Sequence, residues 1–130
     1  MTTATLDDFT RAYIEAALWS STDESTPDGG EPMDANYDID DIAPETLAGI
    51  VEDCRRFQAE NAADLALYDH PQWSAAELGG HDLWLTRNRH GTGFWDRDYL
   101  PEDAGERLTA AAHKCGEIDL YVGDDGLIYS

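Results

Sequence analysis

Gly80-His81-Asp82-Leu83-Trp84-Leu85-Thr86-Arg87-Asn88-Arg89-His90-Gly91-Thr92-Gly93-Phe94-Trp95-Asp96 is the stretch on which the reading of the fold turns. Leu83, Trp84 and Leu85 form a short apolar run, which reads as a mostly buried strand. Phe94 and Trp95 read as its partner. The intervening Thr86–Gly93 segment contains Gly91 and Gly93, both free to take positive φ, so the stretch predicts a β-hairpin.

Downstream, Pro101 opens a helix whose inner face is Ala104, Leu108, Ala111, Ala112 and Cys115, with Gly116 as its stop. Ile118–Val122 and Leu127–Tyr129 then predict a second hairpin, turning through Asp124, Asp125 and Gly126. Upstream, Pro44 and Glu45 start a helix that runs to about Tyr68. Its apolar stripe is Leu47, Ile50, Val51, Cys54, Phe57 and Leu65. A first helix begins at Thr5–Asp8, where Thr5 and Asp8 have capping-box spacing, and it ends near Ser20 and Ser21. Leu6, Phe9 and Tyr13, together with Ile14 and Leu18, give it helical periodicity. The expectation is therefore a single α+β domain over residues 1–130, a small antiparallel sheet of two hairpins packed against about three helices.

Between the first two helices, at about residues 22–42, lies an irregular loop. Pro27, Gly29, Gly30 and Pro32 break helix and strand there. The loop carries Asp23, Glu24, Asp28, Glu31, Asp34, Asp38, Asp40 and Asp41 without a single base. The whole chain has 28 acidic against 8 basic residues, for a formal net charge of -20. That charge favours solubility and basic protein partners. It disfavours phosphate backbones and anionic membranes. The absence of a basic stripe interleaved with aromatics likewise predicts no direct binding of nucleic acid. Residues 1–70 hold 17 acids and 3 bases and residues 71–130 hold 11 and 5, so the charge is concentrated in the first half. A salt-adapted structural or assembly module would share this composition but spread its acids evenly.

No N-terminal basic region precedes an apolar stretch, and no apolar run approaches the ~18 residues needed to span a bilayer. A cytoplasmic location in the cell that makes the protein is expected. Cys54 and Cys115 both fall at apolar helical positions and read as buried free thiols. Trp19, Trp73, Trp84 and Trp95 read as core or interface residues.

Three groups of residues could carry chemistry. Arg87, Arg89, His90 and Arg97 lie within eleven positions. Arg87, Asn88 and His90 could form an anion or carboxylate pocket, with Arg87 as a forked donor, and would make the protein a ligand-binding domain or small enzyme. The structural alternative gives the arginines internal carboxylate partners and makes Asn88 a turn residue. His81, Asp82 and His90 match no zinc spacing. Asp34, Asn36, Asp38, Asp40 and Glu45 occupy positions 1, 3, 5, 7 and 12 of a calcium-loop template. Ile39 replaces the turn glycine at position 6, which argues against a tight site. No metal, cofactor or catalytic residue is expected from these patterns.

The Gly80–Asn88 run, followed by His90-Gly91 and Gly93-Phe94-Trp95-Asp96, resembles a motif of small acidic bacteriophage and prophage accessory proteins. Tyr13-Ile14-Glu15-Ala16-Ala17-Leu18-Trp19-Ser20 is similar to their N-terminal helix. Leu120-Tyr121-Val122-Gly123-Asp124-Asp125-Gly126 is similar to their C-terminal hairpin. The resemblance covers most of the chain and brings no catalytic residues with it. It implies an acidic accessory protein of a family without an established general function. The charge carries the expectation further, to a protein that binds and inhibits a basic host protein, in anti-defence or host takeover. The concrete form expected is nucleic-acid mimicry. DNA carries one charge per about 1.7 Å of axis, and a line of carboxylates can compete for a basic groove. Asp34, Asp38, Asp40, Asp41 and Glu45 are the candidate partner-binding residues.

Overall fold

The computed structural model describes residues 6–25 and 30–130. Four α-helices carry the fold among them: α1 Asp8–Ser20, α2 Pro44–Leu65, α3 Ala75–Arg87 and α4 Glu102–Cys115. Two short antiparallel ladders complete it. β1 Thr22–Asp23 pairs with β2 Glu31–Pro32, and β3 Tyr121–Val122 pairs with β4 Ile128–Tyr129. The α+β class holds, with one more helix than expected and smaller sheets.

The hairpin expected at residues 83–95 does not form. Leu83, Trp84 and Leu85 lie inside α3, and Phe94–Asp96 is a single 3-10 turn. Ser74 starts α3 by accepting a hydrogen bond from the Glu77 amide at 3.1 Å, and its hydroxyl donates to the Glu77 carboxylate at 3.0 Å. Helix propagates through Gly79 and Gly80 because α1 packs directly against them. A Cβ on Gly80 would lie 2.0 Å from the Phe9 carbonyl oxygen, so only glycine allows the two backbones to approach this closely. Gly91 keeps a positive φ of 81° after the helix. Gly93 then passes so near Thr86 that any side chain would strike its hydroxyl. The Thr86 hydroxyl instead accepts a hydrogen bond from the Phe94 amide at 3.1 Å, which folds the chain back on α3.

The α1–α3 pair is the most extensive helix contact of the molecule. Tyr13 meets Trp84 edge-on with ring centroids 5.5 Å apart. Phe57 of α2 stacks between Phe9 and Phe94 at 6.3 and 5.8 Å. Leu83, Trp84, Leu108, Ala112 and Ile128 close the same cluster. The stripe expected on α2 is buried at Leu47, Ile50, Cys54, Phe57 and Leu65, with Val51 half-buried. The helix stops at Leu65 rather than Tyr68 and is kinked at Asn61, whose φ of -125° is not helical.

The first helix is capped by Asp7, which accepts from the Thr10 amide at 2.8 Å. The capping box expected from Thr5 lies outside the described residues, as do Pro27, Asp28 and Gly29 of the acidic loop. The described part of that loop holds the β1–β2 ladder and two 3-10 turns, Met33–Ala35 and Ile39–Asp41. Its second half is pinned at both ends. Met33 is buried, and the Ala43 amide donates to the Ile128 carbonyl at 2.9 Å.

One expectation about burial is corrected, and another is narrowed. Cys54 is buried, but Cys115, at the last position of α4, is exposed. Of the four tryptophans only Trp84 belongs to the core. Trp19, Trp73 and Trp95 are 60%, 54% and 46% exposed.

Candidate functional site

Arg87 ends α3, and the helix directs its guanidinium inward. The residue is 3% exposed. Its Nε donates to the Gly116 carbonyl at 2.8 Å and Nη2 to the Cys115 carbonyl at 3.0 Å. Nη1 donates to the Tyr13 hydroxyl at 3.2 Å and to Asp53 Oδ2 at 3.1 Å. The two carbonyls are those at the C-terminal end of α4, so the cation also meets the negative end of that helix. Arg87 thus ties α1, α2, α3 and α4 together, and its donors are directed at protein atoms. Burial pushes the Tyr13 hydroxyl well above the ordinary tyrosine range despite the neighbouring guanidinium.

Asn88 is occupied in the same way. Its amide nitrogen donates to the Trp84 carbonyl at 3.1 Å, and its oxygen accepts from the Ile118 amide at 2.8 Å. His90 is exposed. It borders a cleft of about 450 Å³ with Ser20, Trp84, Asn88, Glu117 and Asp119. The structure therefore does not assemble the pocket expected from Arg87, Asn88 and His90. Arg87 lies inside the helical core, and the cleft that His90 and Asn88 share has acidic neighbours. Arg89, at a φ of 58°, is exposed as well.

The fourth cation of the stretch, Arg97, forms a second internal clasp. It contacts Asp82 through Nε at 3.1 Å and Nη2 at 2.6 Å. The Tyr68 hydroxyl donates to the other Asp82 oxygen at 2.6 Å. Burial by itself would raise the Asp82 carboxyl. The contacts from His81, Arg97 and Tyr68 outweigh it and hold the group below its ordinary value. His81 lies 3.7 Å from Asp82 and stacks on Trp19, with ring centroids 6.4 Å apart.

The acidic candidates occupy a different surface. Asp34, Asp38, Asp40 and Glu45 are exposed, and Asp41 is partly so. Asp38 and Asp41 cap one another's backbone: Asp38 accepts from the Asp40 amide at 2.9 Å and Asp41 from the Asp38 amide at 2.8 Å. This reciprocal box spends one oxygen of each and turns the remainder of the segment outward. Asn36 donates to Glu31 at 2.8 Å rather than facing the carboxylates. Among the described residues no three acidic, histidine or cysteine side chains are gathered as a metal would need, so the calcium-template positions are not brought together. No ion pair joins Asp34, Asp38, Asp40, Asp41 or Glu45 to a cation among the described residues.

One surface went unread in the sequence. Trp19 stands on a groove of about 460 Å³ between α1 and the 34–39 segment. Its position was legible in principle. Asp8, Arg11, Glu15 and Trp19 recur at spacings of three, four and four, so the tryptophan falls on the polar stripe of α1 and not with Phe9, Tyr13 and Ala17.

No helix among the described residues is long and apolar enough to cross a membrane. No family model matches the chain, no curated protein matches it, and no solved structure matches it.

Proposed function

We propose that the protein is a non-enzymatic binding module that engages and inhibits a basic host protein, presenting carboxylates where that protein would otherwise meet nucleic-acid phosphates. The observation that carries this reading is the set Asp34, Asp38, Asp40, Asp41 and Glu45, held at or near the surface on a pinned segment with no ion pair to a cation among the described residues. Such a field accelerates encounter with a basic surface and weakens as salt rises. The resemblance to phage accessory proteins agrees with action inside a host cell. The competing reading, a ligand site at Arg87, Asn88 and His90, loses support because Arg87 and Asn88 are committed to internal hydrogen bonds.

The test compares proteins captured from a host extract by the wild-type chain and by a variant with Asp34, Asp38, Asp40 and Asp41 changed to Asn and Glu45 to Gln. Asn still accepts the two capping bonds. The expected partner is retained by the wild type, released by added duplex DNA, and bound more slowly by the variant. A partner held equally by both chains and indifferent to DNA and salt would refute mimicry. So would a gel shift of duplex DNA by the protein itself at physiological salt.

A further inference from the structure

We infer that the groove between α1 and the 34–39 segment docks a basic amphipathic segment of a partner protein, which inserts an apolar side chain beside Trp19 and aims flanking lysines or arginines at Glu15, Asp34 and Asp38. This rests on the proposed reading of the protein as an acidic binding module and gives that module its contact point. The floor of the groove includes Ile14 and Leu18, both buried; Tyr37 and Ile39, half-buried, form the opposite wall. Trp19 stands at the end of α1 with 60% of its surface exposed, and its face is supported by His81. An aromatic ring of this size held on a rigid helix loses little freedom when covered, which is the usual property of an interface anchor.

Charge complementarity selects the occupant. The lining carries three carboxylates, Glu15, Asp34 and Asp38, against one cation, Arg11, so the rim is acidic. A second copy of the chain would bring another formal charge of -20 to the same place and is repelled. Anionic lipid and nucleic acid are repelled for the same reason. A neutral apolar segment would desolvate the carboxylates without replacing their water. A lysine or arginine satisfies both features, because its methylene stem lies along the indole while its head reaches a carboxylate. The groove is too small for a whole helix and suits one anchor side chain, with cations one turn away on the same helical face.

The experiment uses the full chain and two synthetic peptides of equal length and charge. One is an amphipathic lysine–leucine helix and the other a lysine–serine control, both titrated calorimetrically at physiological salt. The lysine–leucine peptide is expected to bind at least tenfold more tightly. Trp19→Ala should abolish that advantage while changing lysine–serine binding less than twofold. Trp19→Ala removes an exposed side chain, and its fold is checked by circular dichroism. A Glu15→Gln/Asp34→Asn double variant, which leaves the capping bonds untouched, should weaken the lysine–leucine peptide severalfold. If the two peptides bind equally, or if the leucine advantage survives Trp19→Ala, the groove is not the docking site, although the acidic-module reading stands. If neither peptide binds, both readings fall together.

Discussion

At the C-terminal end of α3, the buried Arg87 meets the buried Tyr13 hydroxyl, the half-buried Asp53 and two carbonyls at the end of α4. In the segment from Met33 to Glu45, by contrast, the carboxylates face solvent wholly or in part, and none is ion-paired among the described residues. Both regions are built from charged residues, yet they contribute to the protein in opposite ways. Inside, each charge has a partner, and removing one member strands the others in a poorly solvated place. Outside, each carboxylate is hydrated and repels its neighbours, so removing it costs the fold little. A protein with 28 acids and 8 bases cannot pair most of its charge. Arg87 and Arg97 go to the sites where a missing partner would do the most damage.

The comparison can be broken most directly at Arg87. Arg87→Ala should destabilise the protein by about 3–5 kcal/mol, because Asp53, the Tyr13 hydroxyl and the α4 carbonyls lose their donor and the packed stem is lost with it. Arg87→Lys should recover only a minor part, since one ammonium cannot replace a fork aimed in four directions. Urea denaturation measures both. A loss below about 1 kcal/mol for the alanine variant would mean that the clasp is not structural.

A smaller effect is expected at Asp82. Its folded carboxyl titrates below the ordinary range because His81, Arg97 and Tyr68 outweigh burial. A depressed folded value means that its stabilisation is present above the unfolded value, about 3.9, and is lost as pH falls through the folded one. Mild acidification from neutrality should leave the Asp82 contribution in place. Below about pH 4 the Asp82 contribution should fail. Asp82→Asn should cost about 2–3 kcal/mol at neutral pH and flatten this acid limb. Denaturation midpoints across pH check the point. An acid limb unchanged in the variant would assign it to other carboxylates.

The smallest effect belongs to the outer region and sharpens the contrast. Neutralising Asp34, Asp38, Asp40, Asp41 and Glu45 together should change stability by no more than about 0.5 kcal/mol, and a gain is as consistent with the argument as no change. A loss of more than about 2 kcal/mol would show that the Asp38–Asp41 box carries the segment and that its acids are not free for a partner.

The elements legible in the sequence were those with an unambiguous start and a long period. Pro44 and Pro101 marked the starts of α2 and α4, and the stripe from Leu47 to Leu65 was buried as its spacing implied. The turn at Asp124–Gly126 marked the last ladder, although only two residues of each strand pair. The 83–95 stretch misled because Gly79 and Gly80 read as a break and Leu83-Trp84-Leu85 as a strand. Ser74 and Glu77, at capping-box spacing, carried the contrary signal. Tertiary packing decided between them, since a glycine pair is helical where a second helix presses on it. Site residues were less legible still. Whether Arg87 is a ligand donor or a core clasp depends on the helix that carries it, and of the two readings open in the sequence, Arg87 and Arg97 take the one with internal carboxylate partners, Asp53 and Asp82. Trp19 reads from the sequence as a core or interface residue, and its angular position on α1 decides between the two by placing it on the exposed stripe.

The close approach of Phe9 and Gly80 has a bearing on how the protein is made. The surface that α1 needs is encoded about seventy residues after it, so α1 leaves the ribosome before its main partner exists. At roughly 5–20 residues per second that gap lasts on the order of 4–14 s. Throughout it Phe9, Tyr13 and Ile14 have no completed core to enter, and a lone helix of this length is marginal in water. The acidic segment follows α1 directly in the chain, so like-charge repulsion opposes association between unfinished copies during the interval before α3 exists.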